Sequence, residues 1–578
     1  MLVEIKNFLK KNKIDFLLLP NSDEFFSEYL PESKRLVKAI TSFTGSNAIV
    51  IFGLKKSFFF TDSRYILQAK NQLDKDEYEI LDIAKNPVIY WLKSNSTNKK
   101  IALFSKLTSV NFVSKIENFV ANNIEFFDEI FIEQIAIKHE FSKQSPIFHC
   151  HEKISGKSDF EKRKIIAKEI SGDALLITKS DELCWLLNIR SSDVKHSPLL
   201  LAYGILYKDG KVDLFIDEKR LNGLTLENVN CIAQDNLDLR LSFLRKKIKT
   251  IDVDFKNLNY FLLKQLQKND FIINNKNNEI ELIKSQKNPQ EIYGAKLAHN
   301  IDGLALTKFI LWFKNAIKNQ EITEISAQQK LHEFRQENKN FIYESFSTIS
   351  AFGCNSAIVH YNADEKSCKQ ITGNSLYLLD SGGQYLGEDF FGTTDVTRTF
   401  LVGQASADMI EKYTLVLKGH IALARVKFPR GLSGSNLDAL ARFHLWQVGE
   451  DYGHGTGHGV GAFANVHEGP CAISLHNQVQ LLPNMILSNE PGYYKEGHFG
   501  IRLENLQRVI ELDEKFLAFE ALTLVAFEAE LIDFKMLTYP EKKWLKNYHQ
   551  RILDELFHKL TFEEQRDLSS LCEVFLSL

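Results

Sequence analysis

The sequence predicts an α/β architecture that gives way to an α+β one: two α/β modules, then a larger α+β domain. Three observations predict it. Short apolar runs alternate with amphipathic helical stretches through the N-terminal half, which is the pattern of strand–helix units. After "NDFIINNKNNEIELIKSQKNP" (269–289) the order changes to long helices first and strands afterwards, the pattern of an α+β domain. The length, 578 residues, exceeds what a single hydrophobic core organises.

In chain order, "IDFLLLP" and "NAIVIFG" read as buried strands, and "SFFFTDSRYILQAKNQL" reads as a strand running into a helix. The pattern weakens around 131–155, so the first module is placed at 1–130. A charged helix then precedes the apolar runs "GDALLIT", "LCWLLNI", "LLAYGILY" and "KVDLFID", which build a second module at 131–280. The two modules share a style but no visible residue repeat. The third domain, 281–578, opens with apolar residues at helical spacing after Pro289. "EITEISAQQKLHEFRQEN" is a second amphipathic helix, and strands are expected to dominate 341–535. "YPEKKWLKNYHQRILDELFHKL" is helical, and "TFEE" at 561–564 fits a capping box that opens a last helix.

The bulk numbers exclude several function classes. The net charge is −3, which makes nucleic acid and anionic membranes poor partners. No uncharged apolar run approaches the ~18 residues that span a bilayer, and the first residues lack the pattern of a signal peptide. The seven cysteines show no CxxC and no regular spacing, which points to a reducing compartment. A cytoplasmic protein is expected.

The chemistry concentrates in the third domain. In "HGTGHGVGAF" (454–463) His454 and His458 stand four apart among glycines. A glycine costs a helix about 1 kcal/mol relative to alanine, so this is a loop or tight strand whose backbone passes close to something. Acidic residues stand in or at the ends of apolar strands: Asp380 in "SLYLLDSGGQY", Asp395 in "FFGTTDVTRTF", Glu490 in "MILSNEPGYY", and Glu504 in "FGIRLENLQRV" with Arg502 on the same face. Taken singly, each has a plain alternative, a strand-end carboxylate that reaches water. Together they carry more buried negative charge than the nearby basic residues can pair. A pair of divalent cations solves that charge problem, and four carboxylates with one imidazole are a suitable shell.

"LLDSGGQY", "GTTDVTRTF", "HGTGHGVGAFANVHEGP", "NEPGYY" and "GIRLEN" resemble the signature segments of the pita-bread metallopeptidases, most closely the aminopeptidase P branch. The resemblance extends to "SEYLPE", "SFTGSNA" and "FTDSRYILQAKNQL" in the first module, to "LCWLLNIRSSDVKHSPLLLAY" in the second and to "WLKNYH" in the tail, as in the long, three-domain, cytosolic form. It implies two creatinase-like N-terminal α/β domains followed by a pita-bread catalytic domain. It implies that Asp380, Asp395, His458, Glu490 and Glu504 hold two divalent ions, usually manganese, with Asp395 and Glu504 bridging them. It implies that His360, His454 and His467 line the substrate site and handle protons, and that Glu490 takes a proton from a hydroxide bridging the ions as it attacks. For His454 a structural role, bonding the loop to itself, is the alternative. Arg502 is expected to bind substrate or to fix the carboxylates from behind. The implied activity is removal of the N-terminal residue from peptides with proline second, by a homodimer.

Two features depart from the family pattern. Fourteen residues separate Asp380 from Asp395, more than usual, which raises the expectation that Glu388 or Asp389 comes near the site. Cys354 stands where the family commonly has proline and is expected to be inert packing. The alternatives in function are a prolidase confined to dipeptides and a non-catalytic pita-bread binding protein. Loss of metal ligands would mark the second, and all five are present.

Overall fold

The structure is a computed structural model that describes residues 1–120, 123–128, 145–277 and 279–578. The expected boundary at 130/131 lies outside the described residues. Two compact units are present: 1–152 with 157–281, and 153–156 with 282–578.

Among the described residues, the first unit contains two six-stranded sheets. One runs Tyr78–Asp82, Ser57–Thr61, Ile49–Gly53, Phe16–Pro20, Ile101–Phe104, Ile124–Phe127 across its width; the other runs Val229–Ile232, Val212–Phe215, Tyr203–Tyr207, Ala174–Ile177, Thr250–Val253, Ile272–Asn275. If the strands of each sheet are counted in chain order, both read 4-3-2-1-5-6. The pairing sense also matches: strands 1–2 and 2–3 are antiparallel, and 3–4, 1–5 and 5–6 are parallel in both. The repeat that the residues hide is a repeat of topology. The central strands are buried almost throughout, as strands covered on both faces must be. One hydrophobic core joins the two sheets, from Leu18 and Ile51 on one to Leu176 and Ile251 on the other. Phe126 stacks on Tyr260 at 4.0 Å within it. The run "LCWLL" belongs to a short helix, Ser180–Leu186.

The second unit opens with the helix Pro289–Asn319. Asn288 caps it, accepting from the backbone N–H of Gln290 and Glu291, while Glu291 reaches back to the Asn288 N–H. Thr323 caps the helix Glu324–Gln336 in the same way. Strands dominate 341–535 as expected, but two helices, Ala407–Arg425 and Gly434–Trp446, interrupt them. The first is buried continuously from Lys412 to Ile421, so no polar face marks its period. A six-stranded antiparallel sheet holds Phe428–Pro429, Phe516–Ala521, Asn505–Glu511, Ile486–Asn489, Gly457–Gly459 and Glu468–Ile473. A three-stranded sheet of Ile349–Phe352, Ser375–Ser381 and Val396–Val402 packs against the long helix through Phe313, Tyr377 and Phe400. The C-terminal helices Tyr539–Leu556 and Phe562–Leu576 each begin with a capping box, at Thr538 and Thr561. Among the described residues no helix is long and apolar enough to cross a membrane.

The tail helices carry a testable acid sensitivity. The His549 ring lies flat on Phe575 (3.6 Å, 3°). Its Nδ1–H donates to the Leu545 carbonyl and its Nε2 accepts from the Phe527 N–H, so the neutral ring is fully bonded. Burial, aided by the Arg398 charge, pushes its pKa from 6.5 down to about 3 despite the Leu545 bond. The folded state therefore refuses a proton that the unfolded chain binds below 6.5. The stability is fully present above that pH and is lost as pH falls toward 3. Between pH 7 and 5 the loss from this ring is about 2 kcal/mol. A His549→Gln variant, less stable at pH 7, is expected to show a flatter decline in thermal midpoint over that range. Parallel pH profiles for variant and wild type would refute the assignment.

Candidate metal centre

His458 sits in the middle of the short strand Gly457–Gly459. A Cβ on Gly457 would lie 2.0 Å from the Ser488 carbonyl oxygen, and one on Gly459 would lie 2.3 Å from that of Glu468. Only glycine lets this strand press between its neighbours. The His458 N–H donates to Ser488 Oγ (2.9 Å), which itself donates to Glu490 Oε1 (3.1 Å). Ser488 thus ties the imidazole to the carboxylate. The Gly459 carbonyl can only accept, so the 3.0 Å contact puts the proton on His458 Nδ1. Nε2 is then the nitrogen that faces the carboxylates, 3.4 Å from Asp395 Oδ2 and 3.5 Å from Glu490 Oε1. A ligating histidine is oriented in the same way.

The structure brings all four carboxylates to this point. Asp380, Asp395 and Glu504 offer oxygens within 4.8 Å of one another; so do His458, Glu490 and Glu504, and likewise Asp395, His458 and His467. Asp380 lies near the end of Ser375–Ser381. Asp395 and Glu504 are not inside continuous strands as the alternation suggested. Asp395 falls in the break between Phe391–Thr393 and Val396–Val402, and Glu504 between Phe499–Arg502 and Asn505–Glu511. At both breaks the chain leaves one sheet for another, which frees the side chain from the pleat.

The electrostatics are those of a site short of positive charge. Burial drives the Glu504 carboxyl well above its ordinary range, and the charges of Asp395, Glu490 and Asp380 drive it further. Burial also raises Asp380, against the pull of Arg502. Glu490 is held low despite burial, chiefly by His458 and His454. Burial would lower His458, but its bond to Asp395 and the charge of Glu490 raise it to about 9. Asp380 Oδ1 and Asp395 Oδ1 are buried with no hydrogen-bond partner. Two orphaned carboxylate oxygens in a shell of oxygen and imidazole donors fit divalent cations.

The other expected residues take distinct places. Arg502 Nη2 donates to Asp380 Oδ2 (2.6 Å), Nη1 to the Tyr494 hydroxyl (2.8 Å) and Nε to Thr397 Oγ1 (3.2 Å). It braces the carboxylates from behind. The His454 Nδ1–H donates to the Gly455 carbonyl (2.7 Å), and Nε2 accepts from Tyr494 (2.8 Å). Burial pushes this ring down to about 4, so it is neutral. The His467 ring stands perpendicular to that of His458 at 4.2 Å. His360, half-buried on the turn after Gly353–Ala357, joins none of the three ligand groups. Cys354 Sγ accepts from Lys369 Nζ (2.6 Å). The added residues between Asp380 and Asp395 form a hairpin, Gly383–Leu386 against Phe391–Thr393. Glu388 is exposed at its tip, and the Asp389 carbonyl accepts from Gln290 on the long helix, so neither joins the cluster. Sequence reasoning gave no role to Thr397, which donates to Glu504 Oε2 (2.8 Å), or to Tyr494 and Ser488. Thr397 lies two residues past Asp395, and that spacing was its only signal.

Comparison with known proteins gives the class and then nearer relatives. Residues 294–511 match the model of metallopeptidase family M24, 515–572 match the C-terminal region of that peptidase, and 138–291 match the creatinase/prolidase N-terminal domain. Xaa-Pro aminopeptidase 1 of Dictyostelium discoideum is 36% identical over 96% of this chain and 92% of its own. A probable Xaa-Pro aminopeptidase P of Coprinopsis cinerea is 34% identical over 95% and 94%. The crystal structure of X-prolyl aminopeptidase from Caenorhabditis elegans, described as a cytosolic enzyme with a di-nuclear active site, superposes with a TM-score of 0.91. It is 31% identical and covers 97% of this chain and 95% of that one. The chain belongs to metallopeptidase family M24, with creatinase-like α/β modules ahead of a pita-bread domain.

Proposed function

We propose that the chain is a metallo-exopeptidase that releases the N-terminal residue from peptides with proline in second position. The observation that carries this is the convergence of four carboxylates and one imidazole around two orphaned carboxylate oxygens, in a chain similar along its full length to Xaa-Pro aminopeptidases. Asp380, Asp395, His458, Glu490 and Glu504 would hold two divalent ions, with manganese the expected metal. Glu504 belongs to the Asp380 group and to the His458–Glu490 group, and Asp395 to the Asp380 group and to a His458 group, which supports these two as the shared ligands. When bound, the ions supply Lewis acidity and acidify water near neutral pH.

The chain's own groups do the rest. Glu490, ionised at neutral pH, has Oε1 engaged by Ser488 and Oε2 available to accept a proton from the attacking water. Arg502 opposes the burial that raises Asp380 and fixes that carboxylate in direction. His360, His454 and His467 are the substrate-facing set, with His360 and His467 also handling protons. His454 has both nitrogens bonded within the protein, so it presents a ring face, suited to a prolyl ring that has no N–H to offer. Three domains, 1–130, 131–280 and 281–578, a cytoplasmic location and a homodimer complete the reading. The location is supported by seven cysteines that form no disulfide and by the cytosolic relative.

The test compares Arg-Pro-Pro, Ala-Pro and Ala-Ala-Ala as substrates, with Mn²⁺ supplied or chelated. Cleavage of Arg-Pro-Pro is expected to be at least about tenfold faster than that of Ala-Ala-Ala, and to vanish on chelation. Faster cleavage of Ala-Ala-Ala would overturn the specificity. Cleavage confined to Ala-Pro would make the enzyme a prolidase.

A further inference from the structure

A second buried ion pair is bonded to residues that flank Asp380 and Asp395. Asp302 on the helix Pro289–Asn319 is 3% exposed, and Arg335 on the helix Glu324–Gln336 is 1% exposed. Arg335 Nε donates to Asp302 Oδ1 at 2.8 Å. The pair reaches past itself in two directions. Arg335 Nη1 donates to Ser381 Oγ, and Ser381 follows Asp380 directly. Thr394 Oγ1 donates to Asp302 Oδ2 at 2.7 Å, and Thr394 directly precedes Asp395. The Tyr385 hydroxyl, on the hairpin that joins these two segments, donates to Asp302 Oδ1 at 2.7 Å. The segments are stitched to each other as well: the Gly383 N–H donates to Thr394 Oγ1, and the Thr394 N–H to the Gly383 carbonyl.

We infer that Asp302 and Arg335 are positioning residues that set the separation of Asp380 and Asp395. This rests on the reading of those carboxylates as metal ligands. The physical need is plain. Asp380 and Asp395 both carry a buried oxygen without a partner, and like charges this close repel. The antiparallel pairing of Ser375–Ser381 with Val396–Val402 holds the strands together as far as Ser381 and Val396, and the ion pair extends that hold to the turn beyond them. A surface pair would contribute little, but a buried guanidinium with a fixed fork holds two backbone segments in one geometry. One grip falls on the residue after the first ligand and the other on the residue before the second. A pair that only stabilised the helix packing would have no reason to end on those two hydroxyls.

The test is metal titration of chelator-stripped protein by calorimetry with Mn²⁺ alone, on wild type, Asp302→Asn and Thr394→Val. Thr394→Val severs the grip on the Asp395 side, together with the Gly383 N–H bond to the same hydroxyl, and leaves the ion pair whole, so it covers the case in which Asp302→Asn fails to fold. Lys418→Met, which breaks the remote Lys418–Glu541 pair, is the control for general destabilisation. Thr394→Val and Asp302→Asn are each expected to weaken at least one ion by about tenfold to a hundredfold. Lys418→Met should lower the melting temperature of the stripped protein and leave both affinities unchanged. Asp302→Glu should recover part of the lost affinity. Wild-type affinities in Thr394→Val and in folded Asp302→Asn would overturn the positioning role, as would an equal loss in Lys418→Met. A wild type that takes up no ions would overturn the metal site itself, a distinguishable result.

Discussion

Asp395→Asn is expected to lower turnover at least about a thousandfold while the protein stays folded, because several kcal/mol of transition-state stabilisation depend on the shared ions. Asp395 approaches His458 Nε2 at 3.4 Å and shares a ligand group with Asp380 and Glu504. An amide of the same shape keeps the packing but cannot neutralise two cations, so the bound-metal count should fall below two. In the stripped protein the same change removes one charge from a crowded anionic cluster and leaves no packing void. The melting temperature without metal should therefore hold or rise, while the gain on adding Mn²⁺ shrinks. Near-normal activity with two ions bound would sink the shared-ligand role.

Arg398→Met should be the most damaging single change to stability outside the cluster. This guanidinium is 2% exposed and has no carboxylate partner among the described residues. It donates instead to the carbonyls of Thr397, Glu504, Val525 and Ala526, to Asn505 Oδ1 and to the Tyr548 hydroxyl, and it lies 4.2 Å from the Phe527 ring centre. Burial pulls its pKa below the ordinary value. Methionine fills the space and leaves the Glu504 and Ala526 carbonyls buried without their donor, while Thr397, Val525 and Asn505 keep a second one. At about 1–3 kcal/mol for each of the two acceptors that water cannot reach, a loss of roughly 2–6 kcal/mol is expected. Denaturant unfolding of the stripped protein checks it. A loss below about 1 kcal/mol would show that water replaces the guanidinium.

The carboxylates proposed as ligands were legible because charge in an apolar strand is rare and costly. Asp380 and Glu490 announce themselves that way, the glycines around His458 by what they forbid, and Pro289 marks where its helix begins. Other parts were hidden for identifiable reasons. Helix Ala407–Arg425 buries even Lys412 and Lys418, so the polar stripe that reveals a helical period is missing. The breaks at Asp395 and Glu504 follow from a change of sheet, which local alternation does not encode. The matching topology of the two N-terminal sheets leaves no residue trace, because a buried strand asks only for apolar volume. Tyr494, Thr397, Asp302 and Arg335 act through partners as many as 107 positions away in the chain, and no short-range pattern connects them.

The close approach at Gly457 and Gly459 bears on how scanning mutagenesis of this segment should be interpreted. Every other residue type would drive a methyl into a carbonyl oxygen, so the two glycines would rank with the charged ligands in any map of inactivating changes. The rank would be steric, with no share in proton or charge transfer. A scan by alanine, the smallest perturbation elsewhere in the chain, is here a large one, and it would inflate the apparent size of the reactive centre by two positions.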